Sequence, residues 1–228
     1  MAPTPMRADL HAHARPASGD SRAGVEDLAD AARALGLEAV ALTDHGPCDL
    51  NAAQRTFAER SVTLIGGREV SCDLGHVVVL ATDLEWLAAL PPRCELPLPD
   101  SRRGPAALIW AHPAGWRYGG ALIPPDPDRG AKHLHAVEVL NGERLHQPDG
   151  VSLAKELADR LSLPGCGGSD AHDAPALGRC LTEVDGVSDA ASFIEGLAAG
   201  RARPVLSERW ARARGYDYRR SDLVPYLR

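Results

Sequence analysis

Gly67-Arg68-Glu69-Val70-Ser71-Cys72-Asp73-Leu74-Gly75-His76-Val77-Val78-Val79 reads as two extended runs with almost nothing between them. Only six residues separate Glu69 from His76, whereas a crossover between parallel strands needs a dozen or more. A tight reversal into an antiparallel strand follows. Glu69 ends one run and His76 begins the next, so the reversal sets both on the same rim of a sheet.

On either side of this pair, other apolar runs finish on the same kinds of residue: Asp9-Leu10-His11-Ala12-His13, Thr43-Asp44-His45, Trp110-Ala111-His112 and Gly167-Gly168-Ser169-Asp170-Ala171-His172. The β-branched runs end near residues 10, 43, 70, 80, 110, 140 and 168. Amphipathic helical patterns lie between several of them, at residues 25–35, 152–161 and 190–199, with Gly36 and Gly200 as terminators. Strand alternating with helix implies parallel strands and crossovers. The expected fold is therefore α/β, a distorted (β/α)7 barrel of TIM-barrel type with its site at the C-terminal rim. Residues 91–104 are proline-rich and irregular. Residues 115–130 are loop-like and follow His112, which reads as a cover over the site.

Composition permits this. At 228 residues, 44% hydrophobic and 25% charged, the chain suits one large globular domain. No secretory signal is visible in the first thirty residues, and no apolar run is long enough to cross a bilayer. Five scattered cysteines (48, 72, 94, 166 and 180) without a CxxC pair argue against a disulfide framework and against a thiolate zinc knuckle. The expected location is the cytoplasm, with no membrane partner. The net charge of −6 is uneven: residues 201–228 carry eight arginines against three acids, a tail of about +5 on a body of about −11. An acidic body acting on an anionic phosphate would need its carboxylates neutralised by metal. No Walker loop, GxGxxG fingerprint or Gly-x-Ser-x-Gly elbow is present, so neither a nucleotide cofactor nor a covalent serine is indicated.

In a strand, residues i and i+2 share a face, so His11 and His13 can point together, as can Asp170 and His172 if that strand persists so far. A lone histidine is more often a core or surface residue, but so many run ends of this type point to one multinuclear metal site. Imidazole and carboxylate donors without thiolate suit zinc, manganese or iron.

The order of these motifs resembles the PHP superfamily, named for polymerase and histidinol phosphatase, whose members are mostly metal-dependent phosphoesterases. The resemblance covers roughly residues 6–204. It includes Val137-Glu138-Val139-Leu140-Asn141, similar to the family's strand ending in asparagine, and residues 197–203, similar to its closing helix and Gly-Arg element. It implies a ligand set of His11, His13, Asp20, His45, Glu69, His76, His112, Asp170 and His172, holding two or three divalent ions. A first ion would take His11, His13, Glu69 and Asp170; a second would share Glu69 and take His76 and His112; a third would take Asp20, His45 and His172. Asp20 is alternatively a helix-entry residue. Asp9 and Asp44 adjoin ligand histidines and read as acceptors that orient imidazoles, with a strand-end cap as the other reading of Asp44. His133, His135 and His146 have no counterpart and read as surface or loop residues.

The expected function is hydrolysis of a small phosphomonoester, of the histidinol phosphate, sugar phosphate or nucleotide class, by a hydroxide bridging the ions at Glu69. A third ion, or a protonated His172 or Asp20, could serve the leaving oxygen. Arg144 and Arg179 are the arginines singled out to bind phosphate. The alternatives are a 5′ to 3′ exonuclease or short phosphodiesterase, motivated by the basic tail with Trp210, Tyr216, Tyr218 and Tyr226, and a non-catalytic metal-binding domain. The domain reading is a catalytic unit at residues 1–205 and a tail at 206–228 packed on it or on a neighbouring subunit, so a homo-oligomer is compatible with it.

Overall fold

The computed structural model describes residues 4–99, 101–113, 127–128, 132–147, 149–218 and 223–227. Its strands are β1 (Met6–Ala12), β2 (Ala39–Leu42), β3 (Thr63–Cys72), β4 (Gly75–Ala81), β5 (Ala106–Trp110), β6 (Ala136–Asn141), β7 (Gly165–Gly168), β8 (Cys180–Val184) and β9 (Ala202–Leu206). The helices are α1 (Val25–Leu35), α2 (Leu50–Ala58), α3 (Leu84–Ala89), α4 (Gly150–Leu161), α5 (Ala190–Ala198) and α6 (Glu208–Arg214). Among the described residues no helix is long and apolar enough to cross a membrane.

All nine strands form one sheet in the order β7-β6-β5-β4-β3-β2-β1-β8-β9. The pairings make seven of them run the same way, with only β4 and β8 reversed. The turn after Glu69 is the expected hairpin: Ser71 lies opposite His76 and Glu69 opposite Val78. The distorted barrel read from the sequence is thus the fold, with one addition. The hairpin of β8 and β9 occupies a stretch in which no strand was expected, and Arg203 of the expected Gly-Arg element lies within β9.

That hairpin is what brings the sheet's edges together. Thr182 on β8 sets its hydroxyl against both the amide and the carbonyl of Gly167 on β7, at 2.9 and 2.8 Å. Just above, His13 N donates to the Ala171 carbonyl at 2.9 Å, tying the end of β1 to the chain leaving β7. The approach is too close for side chains: a Cβ on Gly167 would lie 2.6 Å from the Leu181 carbonyl oxygen, and one on Gly168 would lie 2.5 Å from His11 Cβ. The glycine run therefore serves close packing at the seam of a nearly closed barrel.

Inside the barrel, alternate strand residues such as Leu10, Ile65, Leu80 and Ile109 form one apolar cluster, which Phe193, Ile194 and Leu197 of α5 join from below. Each of these three is fully buried, a contribution of roughly 1.5–3 kcal/mol apiece. The floor is sealed by hydrocarbon, so the polar residues at the strand ends can gather only at the opposite rim. The other helices cover the outside in a second cluster containing Leu28, Phe57 and Trp110. After β9 the chain turns back: Trp210 of α6 donates its Nε1 to the Pro175 carbonyl at 2.9 Å, and Leu227 pairs with Leu206.

Gly167→Ala should cost about 1–3 kcal/mol, since the added methyl must displace a backbone carbonyl in a packed interior. A thermal midpoint more than about 2 °C below wild type is expected; an unchanged midpoint would mean the seam is not tightly closed.

Candidate metal centre

Barrel topology delivers polar side chains from seven separate segments to one rim. β1 brings His11, with His13 just beyond it; the chain after β2 brings His45; β3 brings Glu69; β4, running the other way, begins with His76. The ends of β5 and β7 lead into His112, Asp170 and His172, and Asp20 comes from the loop before α1. His11, His13, Glu69, His112 and Asp170 are buried.

Glu69 stands at the middle with its two oxygens facing different partners. Oε2 lies 3.5 Å from His11 Nε2, 3.5 Å from His13 Nε2 and 3.3 Å from His45 Nδ1. Oε1 lies 2.8 Å from His76 Nδ1 and 3.1 Å from His112 Nε2. Asp170 Oδ1 closes the first group, 3.5 Å from His11 Nε2 and 3.3 Å from His13 Nε2. Asp20 Oδ2 sits 3.3 Å from both His45 Nε2 and His172 Nε2. All nine residues of the expected ligand set are thus neighbours. The grouping differs in one respect, because His45 reaches both Glu69 and Asp20, and His13 forms a compact triplet with His45 and His172.

The donor set fits divalent cations. The buried Nε2 atoms of His11 and His13 make no hydrogen bond, although several acceptors stand at 3.3–3.5 Å. Such spacings are long for N–H···O bonds. They match two donors that share one ion at the usual ~2.0–2.2 Å, which lie about 3.0–3.5 Å apart.

Protons occupy the place of cations in the ion-free electrostatics. Burial opposes charge on His11, yet Asp170, Glu138 and Glu69 outweigh it and hold its pKa well above the usual value. His112 is raised in the same way, by Glu69 above all, against its burial. At His13 burial, helped by the charge on His11, outweighs Asp170 and Glu69 and pushes the pKa down to about 4. Glu69 and Asp170 remain ionised despite burial because His11 and the neighbouring imidazoles keep both well below the ordinary carboxylate range.

Two of these residues have left-handed backbones that non-glycine residues rarely adopt: His112 at φ 31° and Asp170 at φ 54°. Such strain costs on the order of 1–3 kcal/mol and persists only where the surroundings hold it. At Asp170 the turn also ends the strand pattern. Asp170 and His172 are therefore not an i, i+2 pair on one strand face. His172 turns towards Asp20, with its Nδ1 2.9 Å from the Asp170 carbonyl.

The groups behind the imidazoles differ from expectation. Asp9 orients no ring: its carboxylate accepts the backbone amides of Gly178 at 2.7 Å, Ser169 at 2.8 Å and His11 at 3.2 Å, fastening β1 to the segment after β7. Burial raises Asp9 to about 6 against those hydrogen bonds. Asp44 acts through Ser18, whose hydroxyl donates to Asp44 Oδ1 at 2.7 Å and lies 3.2 Å from His13 Nδ1. The carboxylate that meets His11 Nδ1 directly, at 3.0 Å, is Glu138. Glu138 lies in the quoted run of β6 and is buried there. Its signal in the sequence is a charged residue flanked by Val137 and Val139 in a strand whose other polar residue is the terminal Asn141.

Arg144 lines a small cavity with His112, Glu138 and Asn141, and its buried Nε has no hydrogen-bond partner. Arg179 does not serve the site. Its guanidinium donates to the Gly142 carbonyl at 2.9 Å and lies over the rings of Trp210 and Tyr216, at 5.1 and 4.7 Å, so it anchors the tail. His146 is exposed and His133 half-buried, whereas His135 accepts the Leu108 amide at 3.0 Å and supports β5. The expected cover at residues 115–130 lies, apart from residues 127 and 128, outside the described residues.

A PHP domain family model matches residues 9–91, and a PHP-associated model matches residues 152–202. No curated protein matches the chain. Among solved structures the fold is similar to PsfC from Pseudomonas syringae PB-5123, at 21% identity and a TM-score of 0.70, covering 92% of this chain and 94% of that one. It is also similar to a two-domain protein from Bacteroides vulgatus containing a predicted PHP-like metal-dependent phosphoesterase, at 19% identity and a TM-score of 0.63, over 90% of this chain and 67% of that one. An amidohydrolase from Chromobacterium violaceum with bound sulfate shares the fold at 19% identity and a TM-score of 0.51, over 72% and 87%. With the two family models lying on the segments that supply eight of the nine clustered residues, the chain belongs to the PHP superfamily.

Proposed function

We propose that this member of a metal-dependent hydrolase family hydrolyses a small phosphomonoester at the rim of its barrel. The observation that carries the reading is the division of Glu69, one oxygen towards His11 and His13 and the other towards His76 and His112. A carboxylate so placed can serve two cations at once. Asp170 completes the first set, and Asp20, His45 and His172 offer a third position. Divalent ions held there supply Lewis-acid polarisation of phosphoryl oxygens and bring the pKa of water towards neutrality, which provides a nucleophile.

The chain's own side chains supply the remainder. Among the described residues the Arg144 side chain has no ion pair or hydrogen bond, and it shares a cavity with His112. Its planar fork suits two oxygens of a phosphate dianion. His172 is partly exposed with Nε2 beside Asp20; with no ion in the third position, a protonated His172 can give the proton on that nitrogen to the leaving oxygen. The P–O bond to the alcohol then breaks as the oxygen of water joins phosphorus.

A panel of phosphomonoesters should be turned over, with activity lost to a chelator and restored by zinc, manganese or iron. Turnover confined to an oligonucleotide would favour the nuclease reading, and none on any ester with metal present would favour a structural domain. Arg144→Ala should raise KM about 10–100-fold, the loss of a charged hydrogen bond, with kcat changed far less; an unaltered KM would remove Arg144 from the phosphate site. Metal uptake at pH 7 should release protons, because His11 and His112, with raised pKa values, must deprotonate to become ligands. Apparent affinity should therefore rise with pH through neutrality. Calorimetry in two buffers of different ionisation enthalpy measures the release, and zero net protons would contradict these ligands.

A further inference from the structure

The buried carboxylate of Glu138 has two oxygens and three donors around it. Oε1 lies 3.0 Å from His11 Nδ1. Oε2 accepts the His112 amide at 2.8 Å and Asn141 Nδ2 at 2.9 Å. Each of its oxygens is directed at a protein hydrogen donor, and among the described residues it lies outside the donor clusters that could hold a cation.

We propose that Glu138 is a positioning residue for both inner ions, a role that rests on the metal-centre reading above. Through Oε1 it keeps the single proton of the neutral His11 ring on Nδ1, so that Nε2, which faces Glu69 and Asp170, is the nitrogen free to become a ligand. Through Oε2 it clamps the amide of His112, the residue held at φ 31°, and so fixes the direction from which that imidazole enters the second group. Asn141 adds a link, since the same Nδ2 that donates to Glu138 also donates to Asp170 Oδ2 at 3.2 Å. One carboxylate on β6 thereby sets ligands that arrive from β1, β5 and β7. Partners of this kind commonly govern metal affinity nearly as strongly as the ligands themselves.

Glutamine keeps the shape of the side chain but has only one acceptor oxygen. If that oxygen faces His11, the amide NH2 meets the His112 and Asn141 donors; if it faces them, the NH2 meets His11 Nδ1. Either orientation forfeits one of the two functions. Competition against a chromophoric chelator, with zinc as the ion, should show affinity 10–100-fold weaker in Glu138→Gln than in wild type, while the metal-free variant still unfolds cooperatively. Wild-type protein provides a second readout that needs no variant: nitrogen-15 spectra of the zinc-loaded form should show the His11 ring proton on Nδ1, protected from exchange. A folded Glu138→Gln protein that binds zinc as tightly as wild type overturns this role and leaves the metal centre standing. A His11 proton found on Nε2 also overturns it, even if the variant does not fold. A wild-type protein that takes up none of zinc, manganese and iron overturns the metal reading and this role with it.

Discussion

A carboxylate buried among imidazoles is a poor way to stabilise a barrel and a good way to hold cations. Glu69 is almost inaccessible to water, and an ionised carboxylate in that position costs several kcal/mol unless opposing charge surrounds it. The surroundings are unusually one-sided: five imidazoles come within 3.5 Å of its two oxygens. Without cations, charge balance depends on protons at His11 and His112. With them, the same nitrogens become donors. Much of the remaining architecture answers the demand that distant segments keep these atoms within a few tenths of an ångström.

The answer is built from rigid parts. Hydrocarbon fills the barrel below the site, and α5 seals the floor. The glycines of β7 allow the seam to close so far that a side chain on Gly168 would collide with the β carbon of His11. Asp9 then binds the amides of Ser169 and Gly178 across that seam and that of His11 on its own strand, and Glu138 and Asn141 join the strands on the other side. The left-handed turns at His112 and Asp170 are strain that this network holds in place. Such a site is preorganised, which is what electrostatic catalysis requires of it.

Much of this was legible in the sequence for physical reasons that can be named. Loop length alone settled the reversal between Glu69 and His76. Period-2 alternation paired His11 with His13, and α1 has the bounds its apolar periodicity implies. What was hidden depended on contacts between segments far apart in the chain. Glu138 looked like part of an apolar strand, because nothing local reveals an imidazole 127 residues away. Arg179 lies close to a motif, yet its place is decided by the rings of Trp210 on α6 and Tyr216 just after that helix. Nothing local marks β8 and β9 as an antiparallel pair, because α5 and not a tight turn separates them.

Crystals grown with manganese and measured at its absorption edge test the shared role of Glu69 most directly. Strong anomalous peaks are expected on both sides of its carboxylate, one beside Oε2 with His11 and His13 and one beside Oε1 with His76 and His112. Peaks confined to the surface, or a single ion bound away from Glu69, would contradict a centre organised around that residue.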